Sequence, residues 1–245
     1  MIKLSVNVNK IATLRNARGG DNPSVVHAAQ TAIAAGCHGI TVHPRPDGRH
    51  IRRQDVLDLS VMLAVEFNIE GYPSPEFLDL VCQVRPTQCT LVPDPPDVLT
   101  SNAGWNLKGD IDWLRDVIQQ LHDNGIRTSL FLEPDTEQVR RAKDIGTDRI
   151  ELYTERYAKT FGTRDGQRVY ETYHRAAAIA QEVRLGVNAG HDLDLHTLPF
   201  LAQNLPGLLE VSIGHALICD ALYMGLTNAV HAYLKALGYD VPGPM

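Results

Sequence analysis

The chain has 245 residues, a formal net charge of −6 and only 6% aromatic residues. That length holds one large core and is close to the ~250 residues typical of a (β/α)8 barrel. The acidic balance argues against a nucleic-acid platform, and no apolar run approaches the ~18 residues that a membrane span needs; no signal peptide is visible at the start.

Taken in order, a Leu- and Val-rich stretch predicts the first strand over 3–9, with Asn7 and Asn9 on one face and Val8 on the other. Residues 10–20 are polar, carry two arginines and stop at Gly19-Gly20. Asn22-Pro23 opens a helix over 23–35, which Gly36 ends. The second strand runs from Gly39 to Val42 and breaks into His43-Pro44-Arg45-Pro46-Asp47-Gly48-Arg49-His50. Apolar β-branched residues favour a buried strand and Pro and Gly end it, so this polar cluster sits where the strand stops.

The same grammar recurs. A helix over 55–65 precedes a third strand over 67–70 that ends in Glu70, and a helix over 76–84 precedes a fourth strand over 88–92. A long connection over 93–109, with three early prolines, reads as a lid. Asp110 is expected to cap a helix over 111–124, followed by strand five over 127–132 and a helix over 135–144 capped by Asp135. Strand six over 149–152 contains Glu151, and a polar connection over 153–166 leads to a helix over 167–183. Strand seven over 185–188 runs into Gly190-His191, and a short helix follows over 195–204. Strand eight over 209–213 runs into Gly214-His215, and one closing helix covers 216–237.

Strands alternating with helices predict a parallel sheet with right-handed crossovers. Eight such units in this length predict an α/β (β/α)8 TIM barrel with extra helices rather than an open doubly wound sheet. No GxGxxG follows a strand, which counts against the open alternative. No boundary or repeat appears, so residues 1–245 are read as a single barrel domain.

In a barrel the C-terminal strand ends build the active site. Asn7, His43, Glu70, Glu151, His191 and His215 all fall at or just past strand ends, whereas His27, His122, His174 and His231 fall on helices. His and Glu around one mouth suit proton shuttling; they are also metal ligands, but no HxH or HExxH occurs and Arg45 beside His43 would repel a cation. Residues 1–60 hold eight Lys or Arg against four Asp, a basic region in an acidic chain that suits a small anionic ligand. Gly190 and Gly214 are candidates for amides that approach a phosphate, and Arg18 and Arg45 for a bidentate clamp. Lys10 has two readings, a Schiff-base lysine or a charged group that binds phosphate or pairs with a carboxylate; the second is favoured. Cys37, Cys82, Cys89 and Cys219 form no CxxC pair and read as reduced thiols of a cytoplasmic protein.

Asn7-x-Asn9-Lys10-Ile-Ala-Thr-Leu-Arg-Asn-Ala-Arg-Gly19, Gly39-Ile-Thr-Val-His-Pro-Arg45, Arg49-His-Ile51, Asn68-Ile-Glu70, Leu91-Val-Pro93, Val187-Asn-Ala-Gly-His191 and Ile213-Gly-His215 together resemble the pyridoxine 5′-phosphate synthase family over essentially the whole chain. The resemblance implies condensation of 3-amino-2-oxopropyl phosphate with 1-deoxy-D-xylulose 5-phosphate to give pyridoxine 5′-phosphate, phosphate and water. It implies no metal or organic cofactor and a homo-octamer. By motif, His43 and Glu70 match general bases, His191 the general acid and Glu151 a transition-state stabiliser. Asn7, Arg18, Gly214 and His215 match contacts to the amino-ketone phosphate; Arg45, His50 and Thr100 match contacts to the deoxyxylulose phosphate. Two departures from many members stand out. Asn9-Lys10 stands where Asp-His is common, which alters the sugar-phosphate contact, and Asp192 stands where Gly is common, where an extra carboxylate repels a phosphate unless its side chain points away and only its amide is used. Other readings are a silent barrel that binds a phosphorylated metabolite, and a metal-dependent aldolase or isomerase.

Overall fold

The computed structural model describes residues 1–93, 103–109 and 111–241. In chain order the elements are β1 (Lys3–Asn7), α1 (Asn9–Asn16), α2 (Val25–Ala34), β2 (Gly39–Val42), α3 (Arg53–Met62), β3 (Glu66–Gly71), α4 (Pro75–Val84) and β4 (Gln88–Leu91). Then come α5 (Asp112–Asp123), β5 (Arg127–Leu132), α6 (Thr136–Asp144), β6 (Arg149–Tyr153), α7 (Glu155–Thr160) and α8 (Gly166–Glu182). The chain closes with β7 (Gly186–Gly190), α9 (Leu198–Asn204), β8 (Leu208–Ile213), α10 (His215–Met224) and α11 (Leu226–Ala236).

The strands pair in sequence order, all parallel, and β8 closes onto β1. Their outward faces are apolar and fully buried under the helices, as with Leu4, Val6, Ile40, Val42, Leu130 and Leu132. The inward faces are polar. Ser5 and Thr41 hydroxyls lie 2.6 Å apart, the Thr90 hydroxyl donates to Asn68 Oδ1 at 3.0 Å, and Arg127 donates to Gln88 at 2.9 Å and Glu66 at 2.6 Å. Lys3 also donates to Glu66, and Arg149 to Asn188 at 3.2 Å. The hydrophobic core is therefore the layer between sheet and helices, and the barrel interior is held by hydrogen bonds between neighbouring and next-but-one strands.

Local signals set several helix starts. Ser24 accepts from the His27 N–H, Ser74 from the Phe77 N–H ahead of Pro75, and Asp135 from Glu137 and Gln138. The differences from the sequence reading have physical causes. The first strand stops at Asn7, and Asn9 begins α1, so the two asparagines do not share a strand face. The buried face of α1 is Ala12 and Arg15 rather than an apolar stripe, which hid the helix in a polar segment. The connection over 153–166 holds α7. The closing helix is two helices broken at Gly225, whose φ of 80° favours glycine. The expected cap Asp110 and most of the proposed lid lie outside the described residues.

Candidate active site

At the end of β2, His43 is buried and its backbone N–H donates to Asn9 Oδ1 at 2.9 Å. Asn9 is placed in turn by Asn7, whose Oδ1 accepts the Asn9 N–H at 3.0 Å. The loop after His43 is tied to α1. Arg15 forms a bidentate pair with Asp55 at 2.5 and 2.9 Å and donates to the His50 carbonyl, as does Asn16. Burial, then the charges of Arg45, His50 and Arg49, push the His43 imidazole well below its usual range. Burial and the cations Arg45, Lys10 and Arg49 push His50 down to about 4. Both rings are neutral near pH 7 and present a lone pair. On His50 that lone pair is at Nδ1, which accepts the Ile51 N–H at 2.9 Å, so its proton is on Nε2.

Three carboxyl groups approach one another from β3, β6 and β8. Burial, then Glu210, raise Glu70 to about 8. Burial, then Glu70 and Glu210, raise Glu151 well above the carboxylate range. Burial raises Glu210, which Arg149 opposes from 3.5 Å. Like charges in a confined space cannot all ionise, so protons are retained here near neutrality. Gly190 faces this cluster: a Cβ there would collide with Glu151 Oε1.

Past β7, His191 Nδ1 lies 2.8 Å from Asp192 Oδ2, and the Tyr153 ring meets the imidazole edge-on at 5.0 Å between centroids. The Asp192 carboxylate is thus turned onto His191. Past β8, Gly214 starts α10 without a side-chain cap and with no acidic residue in the first turn. The N–H groups of that turn and the positive end of the helix dipole face the same cavity as His215.

That cavity, about 750 Å³, is lined by His43, Glu70, Glu151 and His191 and by Asn7, Asn9, Lys10, Arg45, His50, Asp192, Gly214 and His215. Arg18 is exposed just beyond α1 and is not in its wall. Thr100 lies outside the described residues. Gly190 is not in the wall either; its missing side chain makes room for Glu151. The sequence reading passed over Thr13, Phe131 and Ser212, which line the cavity together with Arg49 of the polar cluster after β2, and Glu210 beneath it. Glu210 sits two residues before Ser212 on β8, and that period of two was the available signal. Among the described residues no three His, Cys, Asp or Glu side chains gather as a metal site.

The chain matches known proteins along nearly its full length. Solved structures that share its fold include phosphoribosyl anthranilate isomerase from Thermotoga maritima (TM-score 0.62, 12% identity, 97% of this chain and 99% of that one). Another is KGPDC from Streptococcus mutans (TM-score 0.64, 11% identity, 97% and 98%). At these identities the likeness is one of fold alone. Proteins named pyridoxine 5′-phosphate synthase are far more similar. That of Bacteroides thetaiotaomicron is 54% identical over 237 residues, covering 97% of this chain and all of its own, 100%. That of Flavobacterium johnsoniae is 54% identical over 239 residues, covering 97% and 100%. The family model described as pyridoxal phosphate biosynthesis protein PdxJ matches residues 4–238, and with these relatives it shows that the chain belongs to the PdxJ family.

Proposed function

We propose that the chain is a pyridoxine 5′-phosphate synthase that condenses 3-amino-2-oxopropyl phosphate with 1-deoxy-D-xylulose 5-phosphate by acid–base catalysis. The observation that carries this reading is the convergence of two neutral imidazoles, a His–carboxylate pair and two proton-holding carboxyls on one cavity. Imine formation, phosphate loss, hydration and ring closure all require repeated proton moves. His43 and Glu70 take protons, His191 gives one, and Glu151 offsets developing charge. Glu70 by itself holds its proton near neutrality; the ammonium of the amino-ketone, brought alongside, favours the carboxylate and so arms the base. A phosphate beside Arg45 and Arg49 weakens the field that, on top of burial, makes His43 a poor base.

Two anion seats fit two phosphorylated substrates. The uncapped first turn of α10 beside His215 suits the amino-ketone phosphate, with Asn7 nearby, and the Arg45–His50 corner suits the sugar phosphate. Arg18 and Thr100 join these seats in the family pattern, and Lys10 contributes charge rather than a covalent bond. The exposed tip of α10, with Leu222 at 69% and Tyr223 at 93% exposure, supports an oligomer, for which we propose the octamer. Four free cysteines support the cytoplasm as its compartment. Among the described residues no helix is long and apolar enough to cross a membrane.

The test is to mix both substrates with the protein in EDTA and follow the pyridoxine phosphate chromophore. Product in EDTA is expected. No product, or activity lost in EDTA and restored by a divalent ion, refutes the reading.

A further inference from the structure

His191 has a φ of 73°, the left-handed region that a residue with a Cβ occupies at a cost. The turn is closed by the Leu193 N–H, which donates to the His191 carbonyl. The imidazole has two neighbours. Tyr153, 5% exposed, meets it edge-on at 85° between planes. The Asp192 carboxylate lies 2.8 Å from Nδ1. The His191 hydrogen bond, with the nearby charges of His191, Lys159 and His215, outweighs partial burial and holds the Asp192 carboxyl below its usual range. An ionised carboxylate has no proton to give. The proton between the two groups therefore sits on Nδ1.

This arrangement fixes more than orientation. A histidine whose Nδ1–H is committed has its exchangeable proton at Nε2 alone. His191 lines the cavity, and with Nδ1 occupied Nε2 is the nitrogen left for substrate. We propose that Asp192 is a positioning residue, whose carboxylate holds His191 in the Nδ1–H form and leaves Nε2 to exchange its proton with substrate. The inference rests on the reading of His191 as proton donor. Nε2 first takes up a proton from substrate or solvent to give the imidazolium. In the donating step that Nε2–H bond breaks, its electron pair stays on the ring, the proton goes to the leaving oxygen, and the neutral ring left behind keeps its proton on Nδ1. Without the carboxylate, neutral imidazole reverts to the Nε2–H form it prefers in water. Nε2 then holds its proton in a ring that is not charged, and it is a poor acid.

The test reads the tautomer and the rate separately. Long-range proton–nitrogen correlation spectra of 15N-labelled protein at about pH 8.5, where an ordinary imidazole is neutral, report which ring nitrogen carries hydrogen. His191→Gln assigns the resonances. The wild-type ring is expected to show the Nδ1–H pattern and Asp192→Ala the Nε2–H pattern. With its melting temperature unchanged, the Ala variant is expected to lose roughly tenfold in kcat with KM near wild type, a modest factor because the carboxylate is partly exposed. Asp192→Asn, whose amide oxygen still accepts from Nδ1–H, is expected to keep the wild-type pattern and recover part of the rate. A wild-type Nε2–H pattern, or an Ala variant with unchanged pattern and kcat, overturns the inference. A defect confined to KM overturns it in favour of a substrate contact. Failure of the wild-type protein to make product refutes the functional reading instead, and the spectra still decide the tautomer.

Discussion

Replacing Glu70 with Gln separates what the buried carboxyl costs the fold from what it gives the chemistry. The unfolded chain ionises Glu70 near pH 4.5, whereas the folded chain holds the proton to about 8. Folding therefore takes up a proton across this window, and stability falls as the pH climbs through it. At ~1.4 kcal/mol per tenfold, the full displacement corresponds to about 5 kcal/mol. Glu70 faces an open cavity, and water there reduces the cost to roughly 2–3 kcal/mol. Gln keeps the shape and cannot ionise. Glu70→Gln is thus expected to be more stable than the parent by roughly 2–3 kcal/mol at about pH 8.5 and equal to it below about pH 4.5. For a chain of this size the alkaline gain is a rise of roughly 5–10 °C in Tm. The same substitution is expected to lower kcat roughly 10²–10⁴-fold with little change in KM. Calorimetric melts at both pH values, beside steady-state kinetics, check this. A gain independent of pH, or none at the alkaline end, refutes the account of the carboxyl cluster; an unchanged kcat refutes its role in proton transfer.

Asp55→Ala leaves Arg15 buried without its partner and is expected to cost about 3–5 kcal/mol in urea unfolding, as removing half of a buried pair does; a loss under 1 kcal/mol counts against the tie between α1 and the His50 loop. Gly190→Ala drives a methyl into the Glu151 carboxylate and is expected to lower kcat by at least ~10²-fold while destabilising by about 1–3 kcal/mol; near-normal turnover would show that Glu151 has no fixed task. Lys10→Arg keeps the charge at the cavity wall and is expected to retain substantial activity. Borohydride with deoxyxylulose phosphate alone should leave no adduct on Lys10 by peptide mass spectrometry, and an adduct there would make the mechanism covalent.

The barrel and its mouth were legible because strand ends announce themselves. Val42 into His43, Ile69 into Glu70 and Ile150 into Glu151 are apolar runs that end in polar groups, and one closed sheet brings such ends together. What was not legible depends on partners distant in sequence. Arg15 reads as a solvated charge until Asp55 meets it across the β2–α3 connection. Glu210 reads as an ordinary strand residue until Arg149 and the two upper carboxyls surround it. Asp192 looked like a threat to a phosphate, and its side chain in fact turns to His191. The break at Gly225 was hidden because apolar residues continue on both sides of it.

The polar interior has a consequence for how the barrel assembles. Side chains alternate between the two faces of a strand, so a slip of one residue exchanges them. In most parallel barrels both faces are apolar, and such a slip costs packing alone. Here a slipped β3 would turn Phe67 and Ile69 into the lattice and carry Glu66, Asn68 and Glu70 out under the helices. Glu66 would lose Arg127 and Asn68 would lose Thr90, and all three polar groups would enter an apolar layer that offers no partner. The hydrogen-bonded lattice thus acts as a proofreading device during folding: misaligned sheets are penalised on both faces at once, and the strand ends that form the mouth arrive at a common level.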